Sequence, residues 1–598
     1  MTERDIRSIT SDFIFGTLAT DEQRLDAIRG RLHGLWHGSR ISPRDPESGD
    51  EVTVTVTAGT DLSVKGMAVR YTTDGSMPDS SSPALPMQPA GPRWETLVWG
   101  YVEEWTATIP AREDGTLVRY RIQALAETGE QVWADTDPET GEPGLFAYGV
   151  DTAQVPRWLR EAVIYHVFVD RFAPDPGSSF VDAASLDEIQ GGTLKGALAR
   201  LDHIADLGAT AIWLSPVFPS PSHHGYDATD YTSIEPRLGT EADLMALIDA
   251  AHAKGIRVLL DFVANHVSNE HPAFLRARND SGAPEREWFT IRPDGTYRSF
   301  FGVETMPQVV VDHDEAAEYL IDAARYWLER GVDGYRLDYA NGPSLAFWSR
   351  FRRALREVKP DTALVGEVVE SAETMAAYEG RLDGTLDFLL LQQIRAFFAF
   401  DLIDSGEFWR FLSRHLAWMP AGLALPSFLD NHDMNRFLWV ARGDTRRLKI
   451  AALVQCALPH PPVIYYGTEV GLSQRHDLEY PDGSRRMEES RAPMPWGAEQ
   501  DRELRSFYRA LVHWRKSQGI FATSPMLVHA GEGGLLVFRV GVWFVVINRS
   551  EDEIAIDFER HGEVWLALGT EFDVQLHGSA LQLPSMSGAI LRSSGMYH

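Results

Sequence analysis

The chain has 598 residues, a formal net charge of −30, 44% hydrophobic and 24% charged residues, the make-up of a soluble globular protein with room for several domains. An acidic balance of this size argues against a nucleic-acid partner, which needs a basic face, and fits a neutral or cationic small molecule. No apolar run is long enough for a membrane span, and the mixed-charge start "MTERDIRSITSDFIFG" lacks the apolar centre of a secretory signal, so the expectation is a cytoplasmic protein with no membrane partner.

In chain order, residues 1–50 read as an N-terminal helical segment and linker, with Leu25, Ile28, Leu32 and Leu35 at helical spacing before a Pro/Asp/Ser/Gly-rich break near Pro43 to Asp50. Residues 51–155 alternate apolar and polar in "EVTVTVTAG", "MAVRYTTDG", "WTATIPA" and "VRYRIQALAETGEQVW". Hairpin-like turns at Asp74-Gly75 and Thr128-Gly129 punctuate them, so an N-terminal β-sandwich is expected. Trp94, Trp99, Tyr101 and Trp105 in this segment read either as a sugar-stacking surface or as core and interface packing, with packing the favoured reading.

After Pro156, eight short apolar runs alternate with amphipathic helical stretches such as "TLKGALARLDHIADLG" and "DLMALIDAAHAKG". The runs cover 162–172, 211–218, 257–266, 334–340, 362–368, 385–391, 425–433 and 462–471. Regular alternation implies parallel strands with right-handed crossovers, and eight repeats imply a (β/α)8 barrel over 156–515. An inserted domain is expected after the third strand, at about 267–312, where "NDSGAP" and "RPDGTY" read as turns. Past 515 short strands return ("GLLVFRV", "VWFVVINRS", "EIAIDFE", "GEVWLAL"), which predicts a C-terminal antiparallel β-sandwich over 516–598. The single cysteine, Cys456, lies among apolar neighbours and reads as a buried small hydrophobe; it allows no intrachain disulfide.

Barrel active sites sit at the C-terminal ends of the strands. Those ends carry Asp261, Asn265 and His266 on strand three, Arg336 and Asp338 on strand four, Glu367 on strand five, and Asn431, His432 and Asp433 on strand seven. Paired carboxylates facing a pocket suit glycoside cleavage, one ionised and one protonated. Arg336 and Asp338 stand two residues apart and so share one face of a strand. A permanent cation there lowers a carboxyl pKa, as a nucleophile requires. Glu367 follows "ALVG" with no cation nearby in sequence, and an apolar setting would raise its pKa, as a general acid requires. Asp433 is placed to stabilise developing positive charge on a sugar ring, and His266 and His432 to hydrogen-bond its hydroxyls, although each His alone reads equally well as a satisfied barrel-top residue.

Four segments in order, "DFVANH" (261–266), "GYRLDYAN" (334–341), "LVGEV" (364–368) and "FLDNHD" (428–433), resemble the signature regions of the α-amylase family, glycoside hydrolase family 13. "HGYDATDYTSIEPRLGT" (224–240) and "RAPMPW" (491–496) resemble the family's stretches after strands two and eight, and the "DRF" at Asp170 and Arg171 is similar to one at the end of its first strand. The resemblance implies Asp338 as nucleophile, Glu367 as acid/base and Asp433 as transition-state stabiliser. It implies Asp261, His266, Arg336 and His432 around the sugar on the non-reducing side, with Tyr226 stacking on it. Many members hold a structural calcium through the residue matching Asn265, but the expected second ligand is replaced by Gly342, so no metal is expected at that position; some members bind calcium elsewhere, near the N-terminal domain, and no other cofactor is expected. The N-terminal β domain and short insert resemble the cyclomaltodextrinase, neopullulanase and maltogenic amylase branch. That resemblance implies a hydrolase of small or cyclic α-glucan oligosaccharides and a homodimer through the N-terminal domain. A transglycosylase or sucrose/trehalose-type isomerase on the same scaffold, and a non-catalytic carbohydrate-binding protein, are the competing readings.

Overall fold

The computed structural model describes residues 21–479, 486–519, 524–531 and 534–594. After a helix at Asp21–Gly30, two five-stranded antiparallel sheets built from strands between Leu35 and Val150 pack face to face. Their alternating sequence puts Val54, Val56, Val69, Trp105, Ile109, Val118, Tyr120 and Ile122 between the layers. The four aromatics noted above therefore part company. Trp105 is core, whereas Trp94, Trp99 and Tyr101 stand exposed on one hairpin, edge-on to one another at 5.6 and 5.1 Å between ring centroids.

The barrel follows. Strands one to six are Ile164–Val167, Ala211–Leu214, Arg257–Val263, Gly334–Asp338, Ala363–Gly366 and Gly384–Thr385, and the eighth is Val463–Tyr465. All neighbouring pairs are parallel, and the eighth lies against the first. The seventh stave is a minimal one: Ala424 bridges Gly384 and Ser427 bridges Pro462, both in parallel, which closes the ring. The fold is the expected barrel with antiparallel β layers before and after it. Helices enter and leave at defined residues. Thr240 and Asp243 form a capping box at the start of Glu241–Ala253, and Gly208 ends the preceding helix at φ 99°, a left-handed turn that glycine takes without strain.

One expectation changes. The apolar run 385–391 predicts a strand, but only its first residue lies in one. Asp387 accepts a hydrogen bond from Leu390 N (2.9 Å) and caps a helix over Phe388–Ile394, so capping chemistry overrides an apolar run that periodicity alone cannot classify. The segment after strand three holds a helix, Pro272–Asn279, short 3-10 turns and isolated bridges.

The last strands form a five-stranded and a three-stranded antiparallel sheet around Val546, Phe558, Leu581 and Leu591. Cys456 lies in the helix Thr445–Ala457, is buried, and burial pushes its thiol pKa up to about 12. Among the described residues no helix is long and apolar enough to cross a membrane.

Candidate active site

The site is built by register. Asp261 on strand three is the direct partner of Arg336 on strand four, and Leu337 is the partner of Gly366 on strand five, so Glu367 emerges one step beyond the strand and opposite Asp338. Side chains two residues apart share a face, which brings Arg336 and Asp338 together. Arg336, almost fully buried, then holds three carboxylates. Its Nη1 donates to Asp261 (2.8 and 3.0 Å) and to Asp338 Oδ1 (2.8 Å), and Nη2 lies 2.7 Å from Glu367 Oε1. The expected contrast between one carboxylate beside a cation and one without is therefore not what the structure contains: Arg336 serves both. It was invisible in sequence because the contact crosses strands.

Discrimination between the two must come from finer geometry. Nη1 makes a true hydrogen bond to Asp338, whereas the Glu367 contact lacks hydrogen-bond alignment at Nη2. Burial raises both carboxyls, Arg336 opposes this, and nearby carboxylates add to the rise, so the pair gives up its protons in separate steps. Tyr339 follows Asp338 with φ at +40°, an uncommon conformation for a non-glycine residue, and its N–H donates to Glu367 Oε2 at 3.1 Å.

Asp433 differs from both. Burial pushes its carboxyl up, but His432 (Nε2 3.0 Å from Oδ2) and Arg491 (Nη2 2.8 Å from Oδ1) outweigh it, and Asp433 stays below the usual carboxylate range. Asn431 Oδ1 accepts from the Asp433 N–H (2.8 Å) and fixes the turn. Tyr226 hydroxyl donates to Asp261 Oδ2 (3.0 Å) and accepts from His432 Nε2 (2.5 Å), and its ring stacks on His432 with an interplanar angle of 4°. His266 accepts from Asn265 at Nδ1 and donates from Nε2 to Tyr226 O (3.1 and 3.0 Å), and burial lowers its pKa to about 4.

A cleft of about 270 Å³ opens over these residues. Asp338, Glu367, Asp433, Tyr226 and His266 line it, with Arg491, Glu488, His224, Phe300, Met306, Met487 and Tyr339. Asp261, Arg336 and His432 do not line it. They lie behind the wall, and Asp261, saturated by Arg336, Tyr226 and Trp213 Nε1 (3.0 Å), orients Arg336 and Tyr226. Sequence reasoning did not single out Arg491, although it begins the quoted "RAPMPW", nor Glu488, 3.4 Å from it. Asp170 and Arg171 pair with each other (2.8 Å) and bind backbone of 186–191, a structural task.

The surroundings of Asn265 do not fit a calcium cage of six or more oxygens. Asn265 Oδ1 accepts from Gln308 Nε2 (3.0 Å), and a Cβ at Gly342 would stand 2.1 Å from that oxygen. Gly342→Ala is therefore expected to displace Asn265 and with it His266, at a cost of about 1–3 kcal/mol. A fall in Tm together with lost activity is the expected readout; unchanged values for both would refute the packing described here.

Comparison with known proteins gives the class. Residues 166–514 match the α-amylase catalytic domain, and the chain belongs to the α-amylase family of glycoside hydrolases. Over 98% of its length it is 34% identical to "Alpha-amylase 2" of Dictyoglomus thermophilum, covering 99% of that protein. It is 35% identical to "Neopullulanase 2" of Thermoactinomyces vulgaris over 78% of this chain and 84% of the relative. A solved cyclomaltodextrinase structure superposes with a TM-score of 0.65 at 26% identity, over 94% of this chain and all of that one.

Proposed function

We propose that this enzyme is a retaining α-glucoside hydrolase of small or cyclic maltooligosaccharides. The observation that carries the reading is the placement of Asp338 and Glu367 on the two terminal nitrogens of one buried guanidinium, both facing the same cleft. Nearby carboxyls favour the retaining over the inverting geometry, in which a water must fit between them.

In the first step Asp338 attacks the anomeric carbon while Glu367 donates its proton to the departing glycosidic oxygen, leaving a glycosyl ester. In the second, Glu367 takes a proton from water, the water oxygen attacks the same carbon, and the ester bond breaks to restore Asp338. In this reading the aligned hydrogen bond from Arg336 works against the rise that burial imposes on Asp338, and Glu367, whose contact with Arg336 is unaligned, is assigned the proton of the pair. Asp433, kept anionic by His432 and Arg491, faces the positive charge that builds on the ring.

The chemistry is neutral up to the glycosyl ester, so the acceptor decides between hydrolysis and transfer. Phe300, Met306 and Tyr339 give the cleft an apolar wall, which favours a sugar acceptor as a second outcome at high sugar concentration. The test is a product profile on cyclodextrin, maltotriose, panose, pullulan, starch, sucrose and trehalose, with the anomer read by NMR. Reducing sugar from cyclodextrin and maltotriose, first released as the α-anomer, is expected. Activity confined to long starch would overturn the substrate class, and a β-anomer the mechanism.

A further inference from the structure

The cleft wall carrying Phe300 and Met306 belongs to the insert after strand three, and its hydrogen bonds lead to the N-terminal sandwich. Phe300 stacks on His266, with ring centroids 4.6 Å apart and planes at 27°, and its N–H donates to Met306 O (2.9 Å). Two residues earlier, Arg298 forms the middle rung of the insert: its N–H donates to Thr290 O and its carbonyl accepts from Gln308 N, both at 2.9 Å. Gln308 in turn bridges to His266 and holds Asn265. The backbone of Arg298 is thus joined through Gln308 to His266, which lines the cleft.

Its side chain leads the other way. Nη1 and Nη2 fork onto Asp137 (2.9 Å each) and Nε donates to Glu139 (2.8 Å), while Arg292 reaches Glu139 at 2.5 Å. The acceptor is preformed. Asp137 Oδ1 also accepts from the N–H groups of Glu139 and Thr140 (2.8 and 3.0 Å), and Gly141 N closes the turn on Asp137 O (2.8 Å). A bidentate arginine fork on a rigid carboxylate fixes orientation as well as distance. The hydrogen bond from Arg298 is the main reason the Asp137 carboxyl is held near 2, so the pair stays charged at any working pH. Both partners keep about three-tenths of their side-chain surface exposed (29% and 31%), so the pair adds little to global stability and is open to screening by salt.

We propose that Arg298 is a positioning residue for substrate binding, and that the Asp137/Glu139 turn of the N-terminal sandwich latches the insert so that Phe300 is held against the cleft. The sandwich then acts on its own chain's active site. The latch rests on the reading of the cleft as the glucan site, but one of its readouts is independent of activity.

The experiment compares wild type with Arg298→Ala, Asp137→Asn and Arg298→Lys. With whichever oligosaccharide the wild type cleaves, Arg298→Ala is expected to raise KM by about fivefold with kcat within about twofold, since the reacting groups are untouched. Arg298→Lys, which keeps the charge and loses the fork, recovers part of this. Raising salt increases KM of the wild type and leaves that of Arg298→Ala flat. Independently of any substrate, hydrogen exchange of 290–308 is expected to quicken in Arg298→Ala and Asp137→Asn with Tm unchanged. Unchanged exchange overturns the latch whatever the enzyme cleaves. Quickened exchange with unchanged KM overturns the positioning role, and parallel losses of Tm, kcat and KM reduce the contact to structural support.

Discussion

Asp338→Asn is expected to remove essentially all turnover, by about 10⁴-fold or more in kcat, while the protein stays folded. The amide is no nucleophile, yet its shape and its contact with Arg336 Nη1 can persist through the amide oxygen. Glu367→Gln has a more telling signature. Loss of the acid penalises a substrate whose leaving oxygen needs a proton, such as maltotriose, far more than an activated aryl glycoside, whose leaving group departs unassisted. Equal losses on both would remove Glu367 from the proposed acid role. The same variant reports on the electrostatics. Burial raises the Glu367 carboxyl in the folded state, so the unfolded chain gives up that proton first. Wild-type stability therefore falls as pH rises from the ordinary carboxylate range through the raised value, and Gln is free of that loss. The Tm of Glu367→Gln relative to wild type should grow as pH rises above the ordinary carboxylate range; a gap that shrinks would contradict the assignment.

The second large effect belongs to Arg336. Arg336→Met leaves Asp261, Asp338 and Glu367 buried without their common cation. Breaking a buried ion network from one side costs about 3–5 kcal/mol, because the remaining charges stay desolvated. The three carboxyls would then be pushed up together, so the deficit should be smallest near pH 5 and widen as pH rises. Thermal melts across pH read this directly, and Asp261→Asn added to Arg336→Met should recover part of the loss. An Arg336→Met protein as stable as wild type at pH 8 would show that Arg336 does not neutralise the three. Activity should be lost in either variant.

The sequence made the barrel legible because its order repeats: each apolar run ends in polar residues, and the carboxylates fall on the ends that a closed barrel brings together. The spacing of Arg336 and Asp338 showed a shared face, since strand periodicity is local. Other features needed register between strands or contacts between distant loops. Glu367 reaches Arg336 only because strand five pairs with strand four as Gly366 against Leu337. Arg491 reaches Asp433 across 58 residues of sequence, and the Glu488 beside it carried no signal of its own. The 385–391 run shows the opposite failure, in which one capping Asp turned an apolar stretch from strand to helix. The aromatics of the N-terminal hairpin show the same limit, because alternation places side chains on one face or the other without saying which face is covered.

The lone thiol of Cys456 is sealed inside a helix between the barrel and the last sheets, and burial keeps it in its unreactive protonated form. The protein thus comes with a chemically silent background for site-directed labelling. A cysteine introduced on the exposed hairpin at Trp99, or on the insert near Phe301, would be the one reactive sulfur toward a maleimide probe in the native fold. Fluorescent or spin reporters could then follow each surface during turnover without first engineering the native chain.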